Sequence, residues 1–113
     1  MKILGINSGT SVDSLDIGLF ECKENKITFI KGVEVKYPNV LREEIKSLGP
    51  NSSILNCDRT SINLGKFVGM KTNLFLKSNN LKASLIGMHG QTIHHSNEVN
   101  KTTTIQITEA DLV

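Results

Sequence analysis

Gly5-Ile6-Asn7-Ser8-Gly9-Thr10-Ser11-Val12-Asp13-Ser14-Leu15-Asp16 decides the reading of this chain, because an apolar strand runs into a hydroxyl-rich turn and straight out into another strand. Lys2 to Ile6 reads as a short buried strand, and Leu15 with Ile17 to Phe20 as its antiparallel return. Gly9 can take backbone angles closed to other residues and lets a ligand approach the main chain. Ser8, Thr10 and Ser11 supply hydroxyl donors, and successive backbone N–H groups in such a turn can converge on an anion. Asp13 and Asp16 bring carboxylates, which repel a phosphate unless a divalent cation such as water-held Mg²⁺ lies between them. The stretch has the make-up of a phosphate cradle, and the same residue types also build ordinary hairpin connections.

Composition narrows what surrounds this turn. A chain of 113 residues holds one small domain. With 38% hydrophobic residues, 4% aromatic residues and no Trp, its core must be mostly aliphatic. The net charge of +2 comes from scattered lysines, so there is no basic patch with interleaved aromatics and no nucleic-acid partner is expected. Cys22 and Cys57 lack metal-ligand spacing and read as reduced packing residues. No apolar run approaches the roughly 18 to 20 residues a bilayer requires, and no signal peptide is visible, so no membrane partner and a cytoplasmic address are expected.

Outward from the first hairpin, Glu24-Asn25-Lys26 is a polar turn, and Ile27 to Tyr37 is a third strand completing an antiparallel meander. In it Val33, Val35 and Tyr37 alternate with Glu34 and Lys36, and Gly32 marks a bulge or register adjustment. Pro38 ends the strand, and Asn39 is expected to cap a short helix with Val40, Leu41, Ile45 and Leu48 on one side. A second helix begins between Ser53 and Asp58, runs to about Lys77 and carries a stripe of Leu64, Phe67, Val68 and Phe75. Gly65 and Gly69 share one of its faces, as close approach to the sheet would require. Leu85 to Met88 is an apolar strand after a helix, which suits a parallel strand beside the first. Loops beyond strand ends gather ligands in open sheets of this kind, so the segment after Met88 should lie near Ser8 to Ser11. Gln91 to His95 and Thr103 to Ile107 form a hairpin around Ser96 to Lys101, and Glu109 to Val113 begins a further helix.

His89, Gln91 and Thr92 are candidate hydrogen-bonding residues for a hydroxyl-rich sugar. A metal site from His89, His94 and His95 is the less favoured reading, since adjacent residues of a strand face opposite ways.

Ser8-Gly9-Thr10-Ser11-Val12-Asp13-Ser14-Leu15-Asp16 resembles the SGTSxDGxD signature of the anhydro-N-acetylmuramic acid kinases, sugar kinases of the actin, hexokinase and heat-shock-chaperone superfamily. Ile86 to His95 resembles the family's IGxHGQTxxH segment, and Thr104 to Ile107 its next strand. The resemblance covers essentially the whole chain but only the opening part of the family's first domain. It implies a partial ribonuclease H-like, actin-like ATPase α/β domain: the three-stranded meander, two helices, a parallel strand and a hairpin. It also implies ATP and Mg²⁺ as cofactors, and a reaction that opens the 1,6-anhydro bond of anhydro-N-acetylmuramic acid to give N-acetylmuramic acid 6-phosphate. Carried over residue by residue, the run from Ser8 through Gly9, Thr10, Ser11, Val12, Asp13, Ser14 and Leu15 to Asp16 serves the nucleotide phosphates, with Asp13 and Asp16 orienting the metal. His89, Gln91 and Thr92 would meet the amino sugar.

Two positions depart from the motif: Ser14 stands where the family has Gly, and Asn7 where it has Met. If that Gly serves a positive φ, Ser14 should be strained. The family's catalytic aspartate, second phosphate motif and adenosine pocket belong to later segments, so the resemblance assigns no catalytic residue here. The 113 residues are therefore expected to be an inactive N-terminal part of the domain, whether an expressed piece, a truncated reading frame or a protein whose remainder is a complementary chain, with a homodimer as the other partner expected. The rival readings are a non-catalytic nucleotide- or sugar-binding module of the same superfamily, and a structural or interaction domain with exposed sheet edges.

Overall fold

Alternation in the first seven residues sets the architecture. In the computed structural model, which describes residues 1–9, 11–98 and 101–113, β1 (Lys2–Ser8) buries Leu4, Ile6 and Ser8 on one side and turns Gly5 and Asn7 to the other. Strand β2 (Ser14–Lys23) returns antiparallel, with Gly5 opposite Gly18 and Asn7 opposite Asp16. A two-residue turn at Glu24 and Asn25, both at positive φ, leads into β3 (Lys26–Lys36), the pattern that suits the twist of a hairpin. The pairing slips once, Leu19 facing Lys31 and Phe20 facing Phe29, so the irregularity falls at Ile30, just before Gly32.

Helix α1 (Asn39–Lys46) follows Pro38. Asn39 is its first residue, not its cap; Pro38 stands at the cap position and no side chain bonds the helix start. Leu41 and Ile45 are buried as expected, whereas Val40 is exposed. Helix α2 (Ile54–Ser78) is capped by Ser53, whose hydroxyl accepts the Asn56 amide at 3.1 Å. Thr60, Leu64, Val68 and Thr72 recur every fourth residue along its buried side, joined by Phe67 and Phe75. Leu64, Phe67, Val68 and Phe75 form one apolar core with Leu4, Ile6, Leu15, Ile17 and Leu19 of the sheet and with Val12, Tyr37, Leu41 and Ile45.

Strand β4 (Leu85–His89) then adds parallel to β1, giving a four-stranded sheet of order β3-β2-β1-β4. After Gly90, β5 (Gln91–Glu98) and β6 (Lys101–Ile107) form a separate antiparallel pair, and the chain ends in a 3-10 turn at Ala110–Leu112. The molecule is thus a mixed α/β unit of two helices with a sheet of mixed strand direction. Strand β3 lies at the sheet edge, so its alternation covers less than expected: Tyr37 just beyond it is buried, Val35 partly so, and Val33 is exposed. Gly65 does allow close approach, but to the chain at Glu109, whose carbonyl oxygen lies 2.6 Å from where a Cβ would stand. Among the described residues no helix is long and apolar enough to cross a membrane.

Candidate phosphate turn and its glutamine clasp

The turn after β1 is held from inside the protein. Ser8, Tyr37 and Gln91 are 4%, 5% and 0% exposed, so their polar atoms have only one another and the backbone as partners. Ser8 Oγ lies 2.5 Å from Tyr37 Oη and also bonds Gln91 Oε1. Gln91 Nε2 donates to the Gly9 carbonyl at 2.9 Å and to the Thr92 carbonyl at 3.0 Å. Two carbonyls around Nε2 fix the orientation of the amide, so Oε1 must accept. Ser8 therefore gives its single proton to Gln91, and Tyr37 gives its own to Ser8. The result is a one-way chain from Tyr37 through Ser8 and Gln91 to Gly9, in which each bond polarises the next. Burial pushes the Tyr37 hydroxyl above its ordinary value of 10.0; the hydrogen bond with Ser8 partly offsets this and the charge of Asp16 adds to it.

The outward side of the turn is polar and open. Val12 N–H closes on the Gly9 carbonyl at 3.4 Å, so that oxygen accepts twice. Among the described residues a Cβ at Gly9 would meet only Ser11 Oγ, at 3.9 Å, and Gly9 has no positive φ; open space, not special backbone angles, is what this glycine supplies. Ser11 and Asp13 are exposed. Among the described residues of the turn Val12 is left-handed, at φ 57, a costly conformation for a β-branched residue that its side chain, inserted into the core, holds in place. Ser14 carries no such strain: it opens β2, paired with Lys36. Leu15 is core. Thr10 lies outside the described residues, as do Val99 and Asn100 of the last hairpin.

The two carboxylates have different surroundings. Asp13 Oδ1 is 3.1 Å from Arg42 Nη2 on α1, and the Asp13 carbonyl accepts the Tyr37 amide at 3.5 Å. Asp16 lies across Asn7 from His89, and these three with Glu34 form the polar wall of an open groove of about 610 Å³ on the outer sheet face. His89 Nε2 is 2.8 Å from Gln106 Nε2. Among the described residues no three His, Cys, Asp or Glu side chains gather as a metal centre. Nucleotide-bound Mg²⁺ is generally held mainly by phosphate oxygens and water, and so asks no such cluster of a protein.

The expected meeting of the loops after β1 and β4 is thus found, through the Gln91 clasp at Gly9. Two contributors escaped the sequence reading. Tyr37 follows from the meander register, since pairing Ser14 with Lys36 sets it beside Asp13. Arg42 lies one helical turn after Pro38, and nothing in composition singles it out.

A mixed α/β unit here presents an open turn at the end of β1, braced by a buried glutamine from the segment after β4, at the strand ends where open sheets of this kind gather ligands. The family model described as anhydro-N-acetylmuramic acid kinase matches residues 1–113, and the chain belongs to that family. Similar proteins carrying that name come from Sulfurimonas denitrificans, 26% identical over 97% of this chain and 31% of the relative, and Mannheimia succiniciproducens, 30% identical over the same shares. A third, from Saccharophagus degradans, is 30% identical over 81% of this chain and 26% of its own length. The chain thus spans about a third or less of the curated relatives it matches.

Proposed function

We propose that the chain is the phosphate-binding opening of a kinase that uses ATP and Mg²⁺ to cleave 1,6-anhydro-N-acetylmuramic acid and phosphorylate it to N-acetylmuramic acid 6-phosphate. The fold is then the start of a ribonuclease H-like, actin-like ATPase domain working in the cytoplasm, in the recycling of cell-wall amino sugars. The observation that carries this reading is the hydrogen bond from Gln91 to the Gly9 carbonyl, 82 positions apart, which unites the two segments resembling the family's signatures. In a phosphoryl-transfer enzyme such a turn positions phosphate and offsets its charge, and the protein does little covalent chemistry. Ser11 and the backbone amides of the turn are proposed to face the phosphates, Asp13 the hydrated metal, and His89 the sugar side. Bound Mg²⁺ supplies charge neutralisation. Gln91 and Ser8 hold the turn from beneath. The 113 residues are proposed to bind nucleotide without turning substrate over, since most of the relatives' length lies outside this stretch.

Thermal unfolding with and without Mg-ATP tests the reading. At a hundredfold excess over its dissociation constant the nucleotide stabilises the folded chain by about 2.7 kcal/mol. Gly9→Asp, which meets open space but sets a negative charge at the turn, should abolish that response while leaving the melting midpoint of the free chain nearly unchanged. A chain that melts cooperatively and ignores Mg-ATP would refute nucleotide binding by this segment.

A further inference from the structure

Buried polar groups carry a cost that apolar residues of similar volume avoid, so a buried network calls for a reason beyond packing. Here the network has a direction and end points. Tyr37 leaves β3, Ser8 ends β1 and Gln91 begins β5, and the proton sequence through them ends on two carbonyl oxygens, that of Thr92 in β5 and that of Gly9 in the turn. A carbonyl oxygen free to face an incoming phosphate would repel it. That of Gly9 accepts both the Val12 amide and Gln91 Nε2 and is therefore tied to the protein side.

We infer that Tyr37 is a positioning residue for the phosphate turn: its hydroxyl, acting through Ser8 and Gln91, fixes the Gly9 carbonyl away from the anion. The inference rests on the nucleotide reading given above and adds to it a residue outside both signature segments. Tyr37 touches no ligand in this scheme. Its ring is held by the core and by Phe67, whose centroid is 5.3 Å away, so removing the hydroxyl alone leaves packing intact. Without it Ser8 keeps its proton on Gln91 Oε1 but loses the donor that orients its hydroxyl and polarises that bond, so Gln91 is held less firmly and the Gly9 carbonyl gains freedom to swing.

The test is the dissociation constant of Mg-ATP for the chain, measured well below all melting transitions, for the unmodified protein, Tyr37→Phe, Ser8→Ala and the double variant. Expected is a rise of about five- to tenfold for Tyr37→Phe, a similar rise for Ser8→Ala, and no further rise in the double variant, because both break one chain. Should Tyr37→Phe fail to fold, Ser8→Ala carries the same comparison. A network that merely supported the fold would lower melting midpoints and leave affinity within twofold, and that result would overturn the inference while the nucleotide reading stands. An unmodified chain that binds no Mg-ATP overturns the nucleotide reading and this inference with it.

Discussion

The two faces of the four-stranded sheet have opposite characters. Toward α2 the strands present Leu4, Ile6, Leu15, Ile17 and Leu19, all buried, the aliphatic surface a small Trp-free core demands. On the other side the register aligns Gly87, Gly5, Gly18 and Gly32 into a row across every strand. A row of His89, Asn7, Asp16 and Glu34 borders it on one side and Phe20 and Phe29, packed edge to face at 5.5 Å, on the other. Over β1 and β2 one face is made by side chains and is closed, while the other has a backbone floor and is open. Burial and hydrophobicity thus do not run together in this molecule, for Phe29 is 61% exposed while Ser8 and Gln91 lie inside.

The largest expected effect tests that contrast directly. Leu19→Ala removes a fully buried side chain and should cost about 3 kcal/mol, within the usual range for such cavities. Phe29→Ala on the open face should cost about 1 kcal/mol, mostly its edge-to-face contact with Phe20. Urea unfolding of both variants gives the comparison. Equal losses would mean that the outer face is covered in solution and that the contrast drawn from exposure is false.

Glycines sharpen the same point at a smaller scale. Gly65→Ala sets a methyl against the Glu109 carbonyl, where only backbone movement can relieve a 2.6 Å approach, and should cost about 2 kcal/mol. Gly18→Ala meets the far edge of the Phe20 ring at 3.0 Å; that ring can swing into the open groove, so a change of about 0.5 kcal/mol or less is expected. Melting midpoints measured side by side decide it, and a costly Gly18→Ala would show the aromatic wall to be rigid.

The legible part of this structure was the part governed by periodicity. Leu4 and Ile6, the α2 stripe from Leu64 to Phe75, and the apolar β4 each follow from local pattern, and with them the strand order. What stayed hidden depended on long-range register. The glycine row appears only when four strands are aligned, and the partner of Gly65 lies 44 positions further along the chain. The site divides the same way. Gly9 and Gln91 were visible as motif members, but that Gln91 faces inward as a clasp required knowing that Tyr37 and Ser8 stand beneath it. Strain was expected at Ser14 because a motif glycine is missing there, yet the turn takes a left-handed step two residues earlier, at Val12, where core packing compensates.

The remaining effect appears only at high pH and concerns the buried tyrosine, and its sign follows from linkage. The Tyr37 hydroxyl ionises above its ordinary value of 10.0 in the folded chain, chiefly because burial disfavours the phenolate. Below pH 10 the group is neutral whether the chain is folded or not, and its contribution is fully present. As pH rises past the unfolded value, the unfolded chain releases a proton that the folded chain retains, so stability falls, at a limiting slope of about 1.4 kcal/mol per pH unit. The quantity to measure is the difference between the unmodified chain and Tyr37→Phe in urea unfolding from pH 8 to 11, which cancels whatever the two chains share. The two curves should run parallel up to about pH 9.5, with the unmodified chain alone losing the extra increment beyond it. Curves that stay parallel to pH 11 would mean that the phenol titrates normally and is open to water. The inward-facing network under Gly9 would then lose its dry setting, and the contrast between a closed interior and an open outer face would fail at its most polar point.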